Sequence, residues 1–134
     1  MLPVIEMFHS IQGEGDMQGV PSFFIRVSGC NLRCVFKNTI CDTPFSSFKP
    51  EKGLYGSMEH LVMEFNKLRK QHPNTNHIVI TGGEPMLYQD LLVEFLSQLD
   101  EEEYFHTTIE TNGSLVITND GLSEFVDLWS ISPK

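Results

Sequence analysis

The sequence predicts an α/β domain built on a parallel sheet. Short apolar runs alternate with segments of helical periodicity, and four polar or glycine-rich motifs each follow one of those runs. The order strand, helix, strand, helix, strand, helix, strand is what right-handed crossover units require. Ligands of such sheets gather at the carboxyl ends of the strands.

Val4 to Phe8 is the first strand candidate and Phe23 to Val27 the second; both are strand-length runs rich in branched and aromatic residues. A long irregular stretch from Asn31 to Gly56 follows. Ser57 is placed to cap a helix on which Met58, Leu61, Val62, Phe65 and Leu68 recur at three- and four-residue steps. His77 to Thr81 is the next strand, and Leu87, Leu91, Leu92, Phe95 and Leu96 repeat the helical pattern behind it. Tyr104 to Glu110, a short helix over Asp120 to Val126, and Leu128 to Ile131 complete the series. There is no internal repeat and no low-complexity linker. With 134 residues, the chain is expected to form a single domain over 1–134 that buries roughly 65 to 70% of its unfolded surface.

Composition narrows the function. With 40% hydrophobic and 20% charged residues, and no run approaching the ~18 to 20 apolar residues that span a bilayer, no membrane partner is expected. Met1-Leu2-Pro3-Val4-Ile5-Glu6 has neither a basic leader nor a long apolar core, so a cytoplasmic location is expected. Eighteen acidic against nine basic residues give a formal charge of -9, which repels nucleic-acid phosphates and favours a small-molecule partner.

Cys30, Cys34 and Cys41 are the three cysteines, with three and then six residues between them, directly after a strand candidate. An odd number of thiols in a reducing compartment suits metal binding or catalysis better than disulfides. Three thiolates can hold a cubane iron-sulfur cluster with one iron left open. The same spacing also fits a zinc site completed by a histidine, or three buried structural thiols. Thr81-Gly82-Gly83-Glu84-Pro85 follows another strand; glycines allow close backbone approach to a ligand, and a carboxylate beside a peptide carbonyl suits an ammonium group. Glu110-Thr111-Asn112-Gly113 ends a strand as either a ligand contact or an ordinary Asn-Gly turn. Ser132-Pro133-Lys134 ends the last one. Arg26 is either a surface arginine at an exposed strand end or, four residues before Cys30, part of the same site.

Cys30-Asn31-Leu32-Arg33-Cys34 with Cys41 resembles the C-x3-C-x2-C motif of radical S-adenosylmethionine (SAM) enzymes, with four extra residues before Cys41. Phe8-His9-Ser10-Ile11-Gln12-Gly13-Glu14-Gly15, Gly19-Val20-Pro21, Phe23-Phe24-Ile25-Arg26 and the Gly-Gly-Glu-Pro segment are similar to those of the 7-carboxy-7-deazaguanine synthase family within that group. The resemblance covers nearly the whole chain and implies the N-terminal part of an incomplete (β/α) barrel, cut short at its C-terminal end.

By the resemblance, Cys30, Cys34 and Cys41 hold a 4Fe-4S cluster whose open iron chelates SAM for reductive cleavage to a 5'-deoxyadenosyl radical. SAM contacts would come from Ile40, Gly82, Gly83, Glu84, Glu110, Ser132, Pro133 and Lys134. Ile11, Gln12, Gly13, Glu14, Arg26 and Thr81 would line the substrate site, and Thr43, in Cys41-Asp42-Thr43, would help bind a magnesium ion (Mg2+). Ile40 is equally readable as loop packing. The implied reaction converts 6-carboxy-5,6,7,8-tetrahydropterin to 7-carboxy-7-deazaguanine with loss of ammonia, on the route to nucleosides such as queuosine. An electron donor such as flavodoxin and a possible homodimer complete the expected partners. Two other functions remain open from sequence: an activase of a glycyl-radical enzyme, against which Gln12 and Cys41-Asp42-Thr43 argue, and a non-catalytic metal-binding domain.

Overall fold

The computed structural model describes residues 2–13, 17–29, 35–36, 39–40, 57–99 and 104–132. A five-stranded sheet runs β1 (Val4–Ile11), β2 (Pro21–Val27), β5 (His77–Gly82), β6 (His106–Thr111), β7 (Leu128–Ile131) in spatial order. The two-residue strands β3 (Val35–Phe36) and β4 (Thr39–Ile40) pair separately. Helices α1 (Met58–Gln71), α2 (Gln89–Leu99) and α3 (Asp120–Phe125) make the crossovers, and a 3-10 turn at Pro85–Tyr88 leads into α2.

Pairings β2·β5, β5·β6 and β6·β7 are parallel, as the alternating order predicts. The first strand departs from an all-parallel sheet, since β1 is antiparallel to β2. Chain length explains it: residues 12–20 between the two strands are fewer than the dozen or so needed for a parallel crossover. β1 also runs to Ile11, three residues beyond its apolar stretch, because the hairpin partner continues the ladder as far as Pro21.

One face of the sheet packs on the helices. Phe23, Ile25 and Val27 from β2, Ile78 and Ile80 from β5, and Ile109 from β6 meet Leu61 and Phe65 of α1, Leu92, Phe95 and Leu96 of α2, and Leu122 of α3. Phe65 is fully buried and lies edge-on to Phe23 (5.3 Å), Phe95 (5.8 Å) and Phe105 (5.8 Å). Such aromatic pairs contribute about 0.5–1.5 kcal/mol each beyond area burial. Ser57 caps α1, its side chain accepting from His60 N at 3.1 Å, with Glu59 in the first turn and Arg69 and Lys70 in the last complementing the helix dipole.

The opposite face alternates with this core, and with the helices on the outside it is the inner, concave side of a (β/α) arrangement. Near its amino-terminal edge the imidazole of His77 is fully buried between two hydroxyls, with Nδ1 2.7 Å from Ser22 Oγ and Nε2 2.8 Å from Thr108 Oγ1. Ser22 spends its only proton on the Val20 carbonyl (2.9 Å), so Nδ1–H donates to Ser22 and Nε2 accepts from Thr108. Burial and then the neighbouring His106, opposed by Asp127, lower the His77 pKa to about 4.

Unfolded histidine takes up its proton near pH 6.5, and folded His77 only near pH 4. Between these values the unfolded state binds more protons, so stability is lost as pH falls through that window. His9, stacked on His72 at 3.7 Å, is also shifted down, by burial and then by His72. Denaturant midpoints should therefore fall between pH 7 and 5, and His77→Gln should flatten part of that decline. An undiminished pH slope in His77→Gln would place the acid sensitivity elsewhere.

Candidate functional site

Three consecutive carbonyls lead from the end of β2 toward Cys30, and the segment after β5 donates to all three. Gly83 N donates to Val27 O (3.0 Å), Glu84 N to Gly29 O (2.6 Å) and the Tyr88 hydroxyl to Ser28 O (2.7 Å). Ser28 N is itself held by Pro3 O (2.9 Å). This zipper requires glycine. A Cβ on Gly82 would strike the Val27 backbone and one on Gly83 the Gly29 carbonyl; Gly82 also has φ +124°, a conformation that side chains disfavour. The paired glycines thus let two stretches of backbone touch, whatever ligand they also approach.

Glu84 ties this segment to the end of β6. It is fully buried, accepting from Met86 N (3.0 Å) and Thr111 Oγ1 (2.6 Å) at Oε2 and from Asn112 N (2.8 Å) at Oε1. A carboxylate offers about four acceptor positions, so three internal donors take most of its capacity. Ser132 N then donates to Thr111 O (2.9 Å), adding β7 to the same rim. The Asn-Gly pair is a turn: Asn112 Oδ1 accepts from Ser114 N (2.9 Å), and Gly113 has φ +77°.

The concave face presents a polar row just below this rim. Glu6 pairs with Arg26 and Arg26 with Thr81, and Glu110 pairs with Ser130. Ile80 pairs with Ile109, so Thr81 and Glu110 lie one residue further along neighbouring strands. Arg26 Nε donates to Glu6 Oε1 at 2.7 Å. The next row down is apolar, with Phe8 stacked on Phe24 at 5.1 Å and Val79 beside them.

Gln12 reaches this face from the far end of the sheet. Its backbone is fixed beside the start of β2, donating to Val20 O (3.0 Å) and accepting from Gly19 N (2.7 Å). Its buried side chain makes a long hydrogen bond from Nε2 to Glu110 Oε2 (3.4 Å), linking residues 98 positions apart. Gln12, Arg26, Thr81 and Glu110 therefore share one face. Ile11 does not join them: it lies on the side of His9 and Met7 and is 54% exposed. Gly13 is exposed, with nothing within 4 Å of a built Cβ. Ile40 is described by its backbone alone, paired with Val35. Glu14, Cys30, Cys34, Cys41, Thr43, Pro133 and Lys134 lie outside the described residues.

The sequence singles out neither Tyr88 nor Glu6, and it gives Thr111 only as part of the motif that ends β6. Alternation along β6 was a usable signal for Thr111, which must face away from Glu110. Nothing local marks the other two.

The zipper predicts a contrast between glycines. Gly83→Ala should destabilise the protein by more than about 3 kcal/mol, because the Cβ meets backbone that has no alternative position. Gly13→Ala should change stability by less than about 1 kcal/mol. Equal denaturation midpoints for the two variants would show that the Gly83 contact is not needed.

A family model described as the radical SAM superfamily matches residues 24–129. The chain is 42% identical over 133 residues to a 7-carboxy-7-deazaguanine synthase of Halobacterium salinarum, covering 99% of this chain and 46% of that relative. It is also 42% identical to the enzyme so named in Rhodopirellula baltica, with 99% and 45% covered. The crystal structure of QueE from Escherichia coli superposes with a TM-score of 0.69 at 30% identity, covering 99% of this chain and 60% of that one. The chain spans about half the length of the curated relatives it matches. The match over residues 24–129 begins within β2 and takes in the glycine zipper and the strand ends it joins, and the chain belongs to the radical SAM superfamily.

Proposed function

We propose that this chain is the N-terminal portion of a longer enzyme that converts 6-carboxy-5,6,7,8-tetrahydropterin to 7-carboxy-7-deazaguanine with loss of ammonia, in queuosine-type biosynthesis. The observation that carries this reading is the concave polar row, in which Arg26 and Thr81 are direct cross-strand partners and Glu110 follows on the next strand. The names borne by relatives at 42% identity support it.

The residues fit the cofactors of the superfamily. Val27, Ser28 and Gly29, the three residues that precede Cys30 in the chain, form a stem tied to the rim where the strand ends meet, and Cys30, Cys34 and Cys41 are the thiolates that would hold a 4Fe-4S cluster. When bound, the cluster and SAM supply hydrogen-atom abstraction, chemistry that belongs to the cofactors themselves. Glu84 fixes the spacing of the strand ends and Ser132 continues the same rim, while Pro133 and Lys134 would add SAM contacts by the resemblance. Thr43 offers the hard oxygen that a magnesium ion accepts.

Substrate recognition falls to the concave face. Stripping a carboxylate of water without a charged partner costs several kcal/mol, and Arg26 provides a planar fork suited to it. Gln12 can both donate to and accept from the amide-like edge of a pterin. Its hydrogen bond to Glu110 ties that edge-reading group to the polar row. A reducing partner such as flavodoxin, a cytoplasmic setting and a homodimer accompany this reading. Among the described residues, no helix is long and apolar enough to cross a membrane.

Two measurements test the proposal. Anaerobic reconstitution of the protein should give an oxygen-sensitive 4Fe-4S cluster, and alanine at Cys30, Cys34 or Cys41 should abolish its absorbance; a normal SAM-binding cluster in Cys41→Ala would refute the assignment of that thiol. Arg26→Lys keeps the charge and loses bidentate geometry, so pterin affinity should fall at least about tenfold, while cluster content and substrate-free SAM cleavage persist. Turnover of the pterin equal to that of the parent would sink the substrate assignment.

A further inference from the structure

We infer that Glu6 is a positioning residue that holds the Arg26 guanidinium in the orientation needed to take a carboxylate on the concave face. This rests on the reading of Arg26 as the partner of the substrate carboxylate.

The observation is a break in the β1 ladder. Val4 pairs with Val27 and Glu6 with Arg26, so two steps along β1 match one along β2, and Ile5 is the extra residue of a bulge. Val4 is fully buried in the core on the helix-packed side. In an unbroken ladder Glu6, two residues on, would share that side. The bulge turns it over, which also puts Met7 against the core and opposite Ile25. A carboxylate that alternation would have sent among the helices is instead placed directly across from Arg26. Bulges are common beside active sites, where they re-aim a side chain.

The contact uses one corner of the guanidinium. Glu6 Oε1 accepts from Nε at 2.7 Å, and the two terminal amino groups are the pair that forms a fork toward a second carboxylate. Arg26 is 24% exposed and Glu6 49%, so the pair sits at the open face and not inside the core. An arginine side chain has many rotamers, and restraining it through Nε before the ligand arrives removes part of the ordering cost of binding. Thr81 flanks Arg26 on the other side in the same row.

The test measures binding to the reconstituted protein of 6-carboxy-5,6,7,8-tetrahydropterin and of 5,6,7,8-tetrahydropterin, which lacks the carboxylate. Glu6→Ala should weaken the carboxylated pterin about tenfold and leave the other within about twofold. The loss should appear in KM more than in kcat. Glu6→Gln, whose amide oxygen still accepts from Nε without the charge, should fall between parent and Glu6→Ala. Equal or tighter binding of the carboxylated pterin by both variants would overturn the inference, the tighter result making Glu6 a competitor for Arg26. An equal loss for both ligands would also overturn it. If Arg26→Lys binds the carboxylated pterin as the parent does, the underlying reading fails and takes this one with it; if Arg26→Lys loses binding while Glu6→Ala does not, only the role of Glu6 fails.

Discussion

The rest of the site depends on one contact between two stretches of backbone. The carbonyls of Val27, Ser28 and Gly29 are all satisfied by the segment from Gly83 to Tyr88, and this is possible only because residues 82 and 83 have no side chain. Main-chain groups buried at the mouth of a sheet need partners, and here those partners come from the neighbouring strand end. The approach to Cys30 is therefore set by β5 as much as by β2. Glu84 carries the constraint one strand further, since its carboxylate binds the turn after β6.

This arrangement divides labour between the two sides of the sheet. The helix side is an aromatic and aliphatic core in which Phe65 contacts Phe23, Phe95 and Phe105. The concave side is layered: a polar row from Glu6 to Ser130, an apolar row of Phe8, Phe24 and Val79, and a hydroxyl-imidazole network around His77. The network satisfies both nitrogens of a buried imidazole without charge, which keeps the lower part of this face neutral. Charge is concentrated where the strand ends open, at Glu6, Arg26 and Glu110. With two carboxylates against one guanidinium, an anionic group is favoured only at Arg26 itself and not along the row as a whole.

The glycine-rich segment shows how one motif serves two purposes. Read alone, Thr81-Gly82-Gly83-Glu84-Pro85 offers small residues and a carboxylate to a ligand. In the fold, the glycines are consumed by contact with the stem and the carboxylate by three internal donors. Contact with a bound cofactor would then fall mainly to backbone groups at this rim, whose positions are exact because the side chain of Glu84 holds them.

The sequence by itself determined the alternation of strands and helices, the parallel core of the sheet and, among the described residues, the meeting of the strand ends at Gly29, Gly83, Thr111 and Ser132, because each depends on local periodicity or on the length of a crossover. Arg26, Thr81 and Glu110 were named from the resemblance and from the motif at a strand end, and alternation along the paired strands is what sets them on one face. The antiparallel β1 was in reach of the same crossover-length reasoning, since the nine residues 12–20 are too few for a parallel crossover. Only the tertiary structure decided that Glu84 faces inward, that Tyr88 holds Ser28, and that a bulge at Ile5 brings Glu6 across from Arg26. These features join residues 20 to 60 positions apart, and their cause is the meeting of two backbones or a slip in register. Neither leaves a periodic trace in the chain.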